Sequence, residues 1–341
     1  MTAMMRAAVL HGAKDLRMEE RPISPPAAEQ ALVAVGSVGL CGSDQHYYLD
    51  GRNGNNTVRA PAVLGHEIGG TVAEVGFGVS DSLTGVRVVV EPATPCRTCI
   101  TCTTGRYNLC EYSVCLGSPP TDGGLAEYVT VLATQLHRVP DSLPAQAVPV
   151  LEPLAVAVHA LRRATFVPGQ SILITGAGPV GLLAAQVAQA WGARDITVSD
   201  VDAERLKACR ALGIERTVHP EELGGVRVDR SLECSGASAA LPGALAATEP
   251  GGRVVLTGTL PAGDIPAQLG LVQRYEVDVV GTFRYASSFP AAVDLVECGA
   301  VDVASLVTAA YPLYRAEEAF VHAASGLGLK TIVDCASSGP A

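Results

Sequence analysis

A glycine-rich turn between an apolar strand and an apolar helix is the feature that most constrains how this chain can fold. Residues 176–181 read GAGPVG, a predicted strand (SILIT) occupies 171–175, and a helical apolar run follows from Val180 to Trp191. In this context a G-x-G-x-x-G motif is typical of a dinucleotide-binding βαβ unit, because the glycines permit a tight turn, close approach of a pyrophosphate and close helix–strand packing. The residues predicted to bind the dinucleotide are Gly176, Gly178, Pro179, Val180 and Gly181.

Asp200 directly follows the next strand, which is predicted over 195–199. A carboxylate at this position can accept the ribose hydroxyls of an adenosine and repels a 2′-phosphate, which favours NAD over NADP. Arg205 leaves the choice open, since it could flank the adenine or partly neutralise Asp200 and admit NADP. The alternative for Asp200 is an ordinary turn with a helix-capping aspartate.

Four closely spaced cysteines predict a metal site. Cys96, Cys99, Cys102 and Cys110 follow the spacing C-x2-C-x2-C-x7-C, and Zn²⁺ accepts four such sulfurs tetrahedrally in a closed, structural site. Disulfides would require an oxidising compartment. An iron–sulfur cluster would require a shorter last gap and a following proline, where this chain has Glu111. Four unconnected core thiols are the third alternative.

Composition limits the classes of function. The 341 residues are 48% hydrophobic, which suggests two domains with a large core. The net charge of −10, without a basic run, argues against nucleic-acid binding. No apolar stretch approaches the ~20 residues of a membrane-spanning helix, and the N-terminal apolar run is too short for a signal peptide. Ten cysteines suit a reducing cytoplasm, so we expect a cytoplasmic protein without a nucleic-acid or membrane partner.

The pattern of elements changes near residue 155. Before it, short apolar strands such as 30–38 and 70–75 alternate with clusters of Gly, Pro and Asn, which indicates a partly open β-barrel with long loops. After it, strands alternate with helices, which indicates a parallel sheet and an α/β fold. A last strand, predicted over 330–334, could return to the first domain.

Separate positions in the first half offer further metal ligands. Cys41 follows a predicted strand, His66 and Glu67 follow a glycine, and Glu152 begins an apolar run. Each has an ordinary alternative, as a core thiol, a capping residue or a carboxylate at a helix N-terminus. Together they offer one sulfur, one nitrogen and one or two oxygens, and a catalytic zinc needs three protein ligands and one open position.

Six segments in this order resemble the zinc-dependent medium-chain dehydrogenases, over essentially the whole chain. They are CGSDQHYYLDGR, APAVLGHE, PCRTCITCTTGRYNLC, LEPLAVAVHAL, GAGPVG and GTFRY. Within that superfamily the chain resembles the polyol branch of sorbitol and xylitol dehydrogenases and L-idonate 5-dehydrogenases. The resemblance implies a GroES-like catalytic domain over 1–154 with a structural zinc lobe at about 92–115, a Rossmann domain over 155–288, and a segment, 289–341, that returns to the catalytic domain. It also implies a homodimer or homotetramer.

The resemblance assigns roles to the metal candidates. It implies two zinc ions per chain, one of them structural and held by the four-cysteine cluster. It implies that Cys41, His66 and Glu67 bind the catalytic zinc, and that Glu152 holds the zinc-bound water or substitutes transiently as a ligand. Ethanol-type enzymes have a cysteine at the position of Glu152, which argues against a simple ethanol dehydrogenase.

The same resemblance implies a mechanism in which zinc lowers the pKa of the substrate hydroxyl and a hydride passes to nicotinamide. Ser43 is the predicted first proton relay, and His46 or a route through water and Glu152 would follow. The alternative for His46 is a surface position.

Three residues match positions that line the substrate cleft of polyol dehydrogenases, namely Tyr47, Arg284 and Tyr285. Arg284 could bind several hydroxyls or one carboxylate, and its alternative is a structural ion pair.

The leading hypothesis is zinc- and NAD-dependent oxidation of a secondary hydroxyl of a sorbitol- or xylitol-type polyol to the ketose. The alternative is oxidation of a sugar acid of the L-idonate 5-dehydrogenase type, possibly with NADP, because LGSPPTDGG resembles the first group and residues 258–283 the second. A nucleotide-binding protein without turnover and a zinc-free reductase are two further alternatives. The CGSD and GHE segments count against both.

Overall fold

The chain forms two compact units. The computed structural model describes residues 3–337; the first unit lies within Met1–Glu152 and Val303–Ala341, and the second is Pro153–Asp302. The chain therefore returns to the first unit at 303 rather than at the predicted 289. The reason is the helix Phe289–Glu297, whose buried Phe289 packs edge-on against the Tyr285 ring, 5.0 Å away between centroids, inside the second unit.

The bounds of the elements are as follows. The strands are β1 (Met4–Gly12), β2 (Asp15–Pro22), β3 (Gln30–Gly39), β4 (Arg52–Asn53), β5 (Asn56–Thr57), β6 (Ala62–Val63), β7 (Glu67–Val75), β8 (Arg87–Val90), β9 (Ala93–Thr94), β10 (Val114–Cys115), β11 (Tyr128–Leu132), β12 (Leu136–Arg138), β13 (Ser171–Thr175), β14 (Asp195–Ser199), β15 (Arg216–Val218), β16 (Val228–Glu233), β17 (Thr248–Leu256), β18 (Asp278–Gly281), β19 (Val307–Pro312) and β20 (Lys330–Asp334). The helices are α1 (Gly42–Asp50), α2 (Ile100–Thr103), α3 (Leu151–Arg163), α4 (Pro179–Ala190), α5 (Ala203–Ala211), α6 (Ala240–Ala247), α7 (Leu269–Tyr275), α8 (Phe289–Glu297) and α9 (Ala316–Ala324).

The first unit is built around β3. One sheet has the order β12-β8-β7-β3-β20-β19, with β11 also pairing β3, and a second has the order β2-β1-β6. The strands enclose an apolar core in which residues such as Val33, Val38 and Ile68 are fully buried. In the antiparallel β3–β7 pair Gly39 lies opposite Glu67, so the end of β3 and the start of β7 meet at one edge. The C-terminal strand β20 pairs with the same end of β3, Ile332 opposite Gly39.

The second unit contains a six-stranded parallel sheet in the order β15-β14-β13-β16-β17-β18. All five residues of the central strand β13 are buried, as expected for a parallel strand covered on both faces. The strand order reverses next to β13, which is where open α/β sheets bind ligands beyond the carboxyl ends of their strands. The predicted α/β class, with a barrel-like domain and a parallel sheet, is confirmed.

None of the helices in residues 3–337 is both long and apolar enough to cross a lipid bilayer.

Candidate functional site

One thiol, one imidazole and one carboxylate converge where β3 ends and β7 begins. Candidate ligand atoms of Cys41, His66 and Glu67 all lie within 4.8 Å of one another. Cys41 is the N-cap of α1, Glu67 is the first residue of β7, and His66 directly precedes it. Three donors of these types fit a zinc site that keeps an open coordination position.

The environment of Glu67 supports a cation at this cluster. Its Oε2 is buried and has no hydrogen-bond partner among the described residues, although a buried carboxylate oxygen normally has one. A Cβ atom at residue 39 would lie only 2.0 Å from that oxygen. Gly39 therefore makes room for the Glu67 carboxylate, and a metal ion would satisfy its second oxygen.

Asp44 orients the imidazole of His66. The fully buried Asp44 carboxylate accepts hydrogen bonds from the backbone N–H groups of Cys41 (3.0 Å) and Gly65 (3.3 Å), and it lies 3.5 Å from Nδ1 of His66. Burial lowers the pKa of His66, but Asp44 and Cys41 outweigh it and raise that pKa well above its usual value. A carboxylate behind a ligating histidine fixes the ring and leaves Nε2 for the metal. Sequence reasoning missed this role, although an acidic residue three positions after Cys41 was visible.

Lys330 fixes the other ligand and was also missed. Its Nζ, on the returning strand β20, donates to Oε1 of Glu67 at 2.7 Å and to the Leu40 carbonyl at 3.2 Å. Both side chains of the ion pair are buried. Burial lowers the pKa of Lys330, but Glu67, Cys41 and Glu152 raise it overall, so the side chain stays an ammonium. The available signal was a lysine directly before the β-branched run Thr331, Ile332 and Val333.

The three predicted catalytic residues occupy different environments. Glu152 is buried in the first turn of α3, and its charge acts on Lys330, but it is not part of the 4.8 Å group found among the described residues. Ser43 is half-buried on α1, close in sequence to Cys41. The side chain of His46 is 57% exposed, and its Nδ1 lies 3.4 Å from Asp50. This environment favours the alternative that His46 is a surface residue.

The predicted substrate residues lie in both units. In the first, Tyr47 is buried, and its hydroxyl accepts a hydrogen bond from Nδ2 of Asn56 at 2.9 Å. In the second, Arg284 has a φ of 50° and places its guanidinium 4.9 Å from the ring centre of Phe283. Tyr285 is 1% exposed. A left-handed backbone is uncommon for arginine, so Arg284 has an unusual backbone conformation in the loop after β18.

The four cysteines with the spacing C-x2-C-x2-C-x7-C bring their sulfurs together in the first unit. The sulfurs of Cys96, Cys99, Cys102 and Cys110 lie within 4.8 Å of one another, with separations of 3.4 Å from Cys99 to Cys102 and 4.0 Å from Cys96 to Cys102. A tetrahedron with Zn–S bonds of about 2.3 Å requires sulfurs about 3.8 Å apart. The donor set therefore fits one zinc ion with no open position.

The thiol electrostatics also favour a cation in this lobe. The hydroxyl of Thr98, with backbone N–H groups, lowers the pKa of Cys96 to about 6, whereas desolvation raises the pKa of Cys102 to about 12. Backbone N–H groups also point at the sulfurs, for example from Cys96 to Cys110 at 3.3 Å. Four adjacent sulfurs cannot all become thiolates unless a metal compensates their charge.

The glycine motif forms a tight turn between β13 and α4. Gly176 has a φ of 96°, and a Cβ there would lie 2.6 Å from the backbone nitrogen of Ser235. A Cβ at Gly181 would lie 1.9 Å from the Gly176 carbonyl oxygen, whereas one at Gly178 would meet nothing within 4 Å. Gly178 caps α4, whose first residue is Pro179 and second is Val180. The open space at Gly178 and the free N–H groups of the helix suit a pyrophosphate.

Asp200 stands beside this turn and is buried. Its carboxylate accepts hydrogen bonds from the backbone N–H groups of Ala177 (2.6 Å) and Asp202 (2.8 Å), one on each oxygen. Arg205 lies in the first turn of α5, with Nε 3.7 Å from Oδ2 of Asp202 rather than paired with Asp200.

Comparison with known proteins agrees with this geometry. Residues 27–141 match the family model of the alcohol dehydrogenase GroES-like domain, and residues 179–297 match that of zinc-binding dehydrogenases. The chain is 36% identical over 329 residues to the sorbitol dehydrogenase of Bacillus subtilis (strain 168), covering 94% of this chain and 93% of that protein. It is 37% identical over 339 residues to the sorbitol dehydrogenase of Homo sapiens, covering 96% and 95%. The crystal structure of L-idonate 5-dehydrogenase from Escherichia coli str. K-12 substr. MG1655 superposes with a TM-score of 0.93 at 29% identity, covering 98% and 99%.

These matches span both units, the cysteine cluster and the glycine motif. The zinc-free reductase and the non-enzymatic alternatives are therefore set aside. It follows that this chain belongs to the zinc-dependent medium-chain dehydrogenases, as an alcohol and polyol oxidoreductase that uses zinc and NAD(P).

Proposed function

We propose that the chain oxidises a secondary hydroxyl of a sorbitol- or xylitol-type polyol to a ketone with NAD, using a zinc ion held by Cys41, His66 and Glu67. The observation that carries the proposal is the convergence of ligand atoms of these three side chains within 4.8 Å. Asp44 lies beside His66, and Lys330 donates a hydrogen bond to Glu67. A zinc ion there supplies a Lewis acid that lowers the pKa of a bound hydroxyl, and the dinucleotide accepts the hydride.

The surrounding residues have separate tasks. Asp44 keeps His66 in one ring orientation, and Lys330 keeps one oxygen of Glu67 occupied so that the other faces the cluster. The ammonium of Lys330 also offsets part of the negative charge that a thiolate and a carboxylate bring to the centre. Ser43 and Glu152 are the groups proposed to move the hydroxyl proton away, whereas the exposure of His46 favours a minor role for that side chain.

NAD is the preferred cofactor in this proposal. The carboxylate of Asp200 is held by two backbone N–H groups next to the glycine turn, where it can still accept hydrogen bonds from a ribose and repel a 2′-phosphate. The two separate sets of candidate ligands support two zinc ions per chain, one catalytic and one structural.

A sugar acid of the L-idonate type is the second candidate substrate. Similarity to L-idonate 5-dehydrogenase across nearly the whole chain and the guanidinium of Arg284 favour it, because guanidinium binds carboxylates bidentately. Among the predicted substrate residues of the first unit, Tyr47 offers a neutral hydroxyl, which suits a polyol equally well.

A substrate screen tests the proposal. Purified protein is incubated with NAD or NADP and sorbitol, xylitol, ribitol, galactitol, L-idonate or simple alcohols, while absorbance of the reduced cofactor is recorded. We expect turnover of a polyol with NAD. Activity confined to ethanol-like alcohols would contradict the roles of Glu152 and Arg284, and turnover of L-idonate alone would establish the second candidate.

Assembly and location complete the proposal. We propose a homodimer or homotetramer in a reducing cytoplasm, which light scattering of the purified protein and fractionation of cells would test.

A further inference from the structure

Three charged residues, Asp200, Asp202 and Arg205, follow the carboxyl end of β14, which is where a sheet of this class binds the adenosine ribose. Asp200 is buried, and each of its oxygens already accepts a backbone N–H group, from Ala177 and from Asp202. These bonds fix the carboxylate and use part of its accepting capacity. Asp202 and Arg205 are two further charges that could act on a 2′-phosphate.

Asp202 performs two tasks at the start of α5. Its Oδ1 caps the helix by accepting the N–H groups of Glu204 (2.8 Å) and Arg205 (3.3 Å). Its Oδ2 lies 3.7 Å from Nε of Arg205, and the side chains are 42% and 36% exposed, respectively. The Asp202 carboxylate thus caps α5 and also attracts the guanidinium of Arg205.

Arg205 is the residue type that accepts a 2′-phosphate in NADP-binding members of this fold class. Here its Nε is buried and has no hydrogen-bond partner within residues 3–337, so Asp202 attracts it by charge alone. A guanidinium held only by one ionic contact can be released by removing a single charge.

We propose that Asp202, in addition to Asp200, sets the preference for a dinucleotide without a 2′-phosphate, by restraining Arg205 and by adding a second negative charge. This inference rests on the proposed NAD-dependent function and deepens it. It predicts that a neutral residue at 202 shifts recognition toward NADP, even though Asp200 is retained.

The test is direct binding of NADH and NADPH, followed by the fluorescence of the reduced nicotinamide at constant salt. Asp202→Asn keeps the helix cap, since asparagine caps helices as well as aspartate does. We expect the affinity ratio of NADPH to NADH to rise about tenfold in this variant, because one like charge is removed and one cation is freed. Thermal unfolding verifies the fold, and Asp202→Ser replaces the variant if asparagine lowers the midpoint.

Two further variants separate this explanation from a general charge effect. Glu204→Gln removes the same charge two residues later, from a side chain that is 82% exposed and paired with Lys207 at 3.5 Å, so its ratio should change by less than about threefold. Adding Arg205→Gln to Asp202→Asn should return the ratio to the parent value.

The outcomes distinguish the two proposals. If the parent binds neither dinucleotide, the proposed function fails. If the parent binds NADH but Asp202→Asn leaves the ratio unchanged, if Glu204→Gln raises it equally, or if Arg205→Gln does not reverse the gain, the role of Asp202 is refuted while the proposed function stands.

Discussion

The two metal-binding clusters of the first unit are built in opposite ways. The four-cysteine lobe draws all its donors from one short segment, with three half-buried cysteines, the buried Cys110, and supporting hydrogen bonds from its own turns. The cluster of Cys41, His66 and Glu67 joins residues from two strand ends, and the Lys330 that supports it is 263 residues from Glu67. The first cluster can form locally, whereas the second exists only when the whole unit has folded.

This difference separates stability from chemistry. A closed set of four sulfurs leaves no position for a substrate, so the lobe can contribute only to folding and assembly. The lobe is tied to the barrel through Tyr107, whose hydroxyl donates to the carboxylate of Glu91 at 2.8 Å, with His137 3.1 Å from the other oxygen. The cluster of Cys41, His66 and Glu67, called the mixed cluster below, has three donors and therefore leaves one coordination position of a tetrahedral zinc open.

The largest expected effect comes from removing the sulfur of the mixed cluster. Cys41→Ser should lower NADH production by about a thousandfold or more, because the site loses a ligand needed to hold its metal. Circular dichroism should show a folded protein, since Cys41 is half-buried at a helix start. Retained turnover in a folded variant would show that the cluster of Cys41, His66 and Glu67 is not the catalytic centre.

Removal of the buried ammonium should have the next largest effect. Lys330→Met leaves the Glu67 carboxylate buried without its partner, so we expect zinc to dissociate roughly 10- to 100-fold more readily and turnover to fall in proportion. Zinc release to a chromogenic chelator measures the first quantity and NADH production the second. Lys330→Arg should restore part of both.

A matched control for this variant is Lys207→Met, which removes an ammonium that is 72% exposed. It should alter neither zinc release nor turnover. Equal effects in both variants would mean that overall charge, and not the pair with Glu67, is responsible.

Breaking the lobe should affect stability before chemistry. Cys99→Ser should lower the thermal midpoint by about 5–10 °C and weaken assembly, because the structural metal stabilises the lobe. Scanning calorimetry and light scattering measure the two effects. An unchanged midpoint and assembly together with loss of zinc would contradict the structural role.

The smallest effect is expected at His46. His46→Gln should reduce turnover by less than about threefold, because the imidazole is exposed and its Nδ1 lies 3.4 Å from the equally exposed Asp50. Steady-state kinetics across pH would measure it. A loss of a hundredfold would restore His46 to the proton relay.

Local features were predictable from the sequence because their physics is local. The spacing of the four cysteines and the glycines at 176–181 specify turns over a few residues. In the structure the four sulfurs lie together, and the glycines form a close turn. The parallel sheet was predictable from the alternation of strands and helices, because each element has a local hydrophobic pattern.

Features that depend on distant partners were not predictable in this way. The pairing of Lys330 with Glu67 requires the register of β20 against β3. Helix α1 was missed because its residues 42–50 are mostly polar, and Gly51, with a φ of 67°, ends it. The return to the first unit was placed too early, since the burial of Phe289 depends on contact with Tyr285.

Zinc content per chain tests the division of roles between the two clusters most directly, by mass spectrometry on the parent, Cys41→Ser and Cys99→Ser proteins at equal concentration. This division predicts about two zinc ions in the parent and about one in each variant, with turnover retained only where the remaining ion is at Cys41, His66 and Glu67. Two ions in Cys41→Ser, or activity that follows the lobe instead of the mixed cluster, would contradict it.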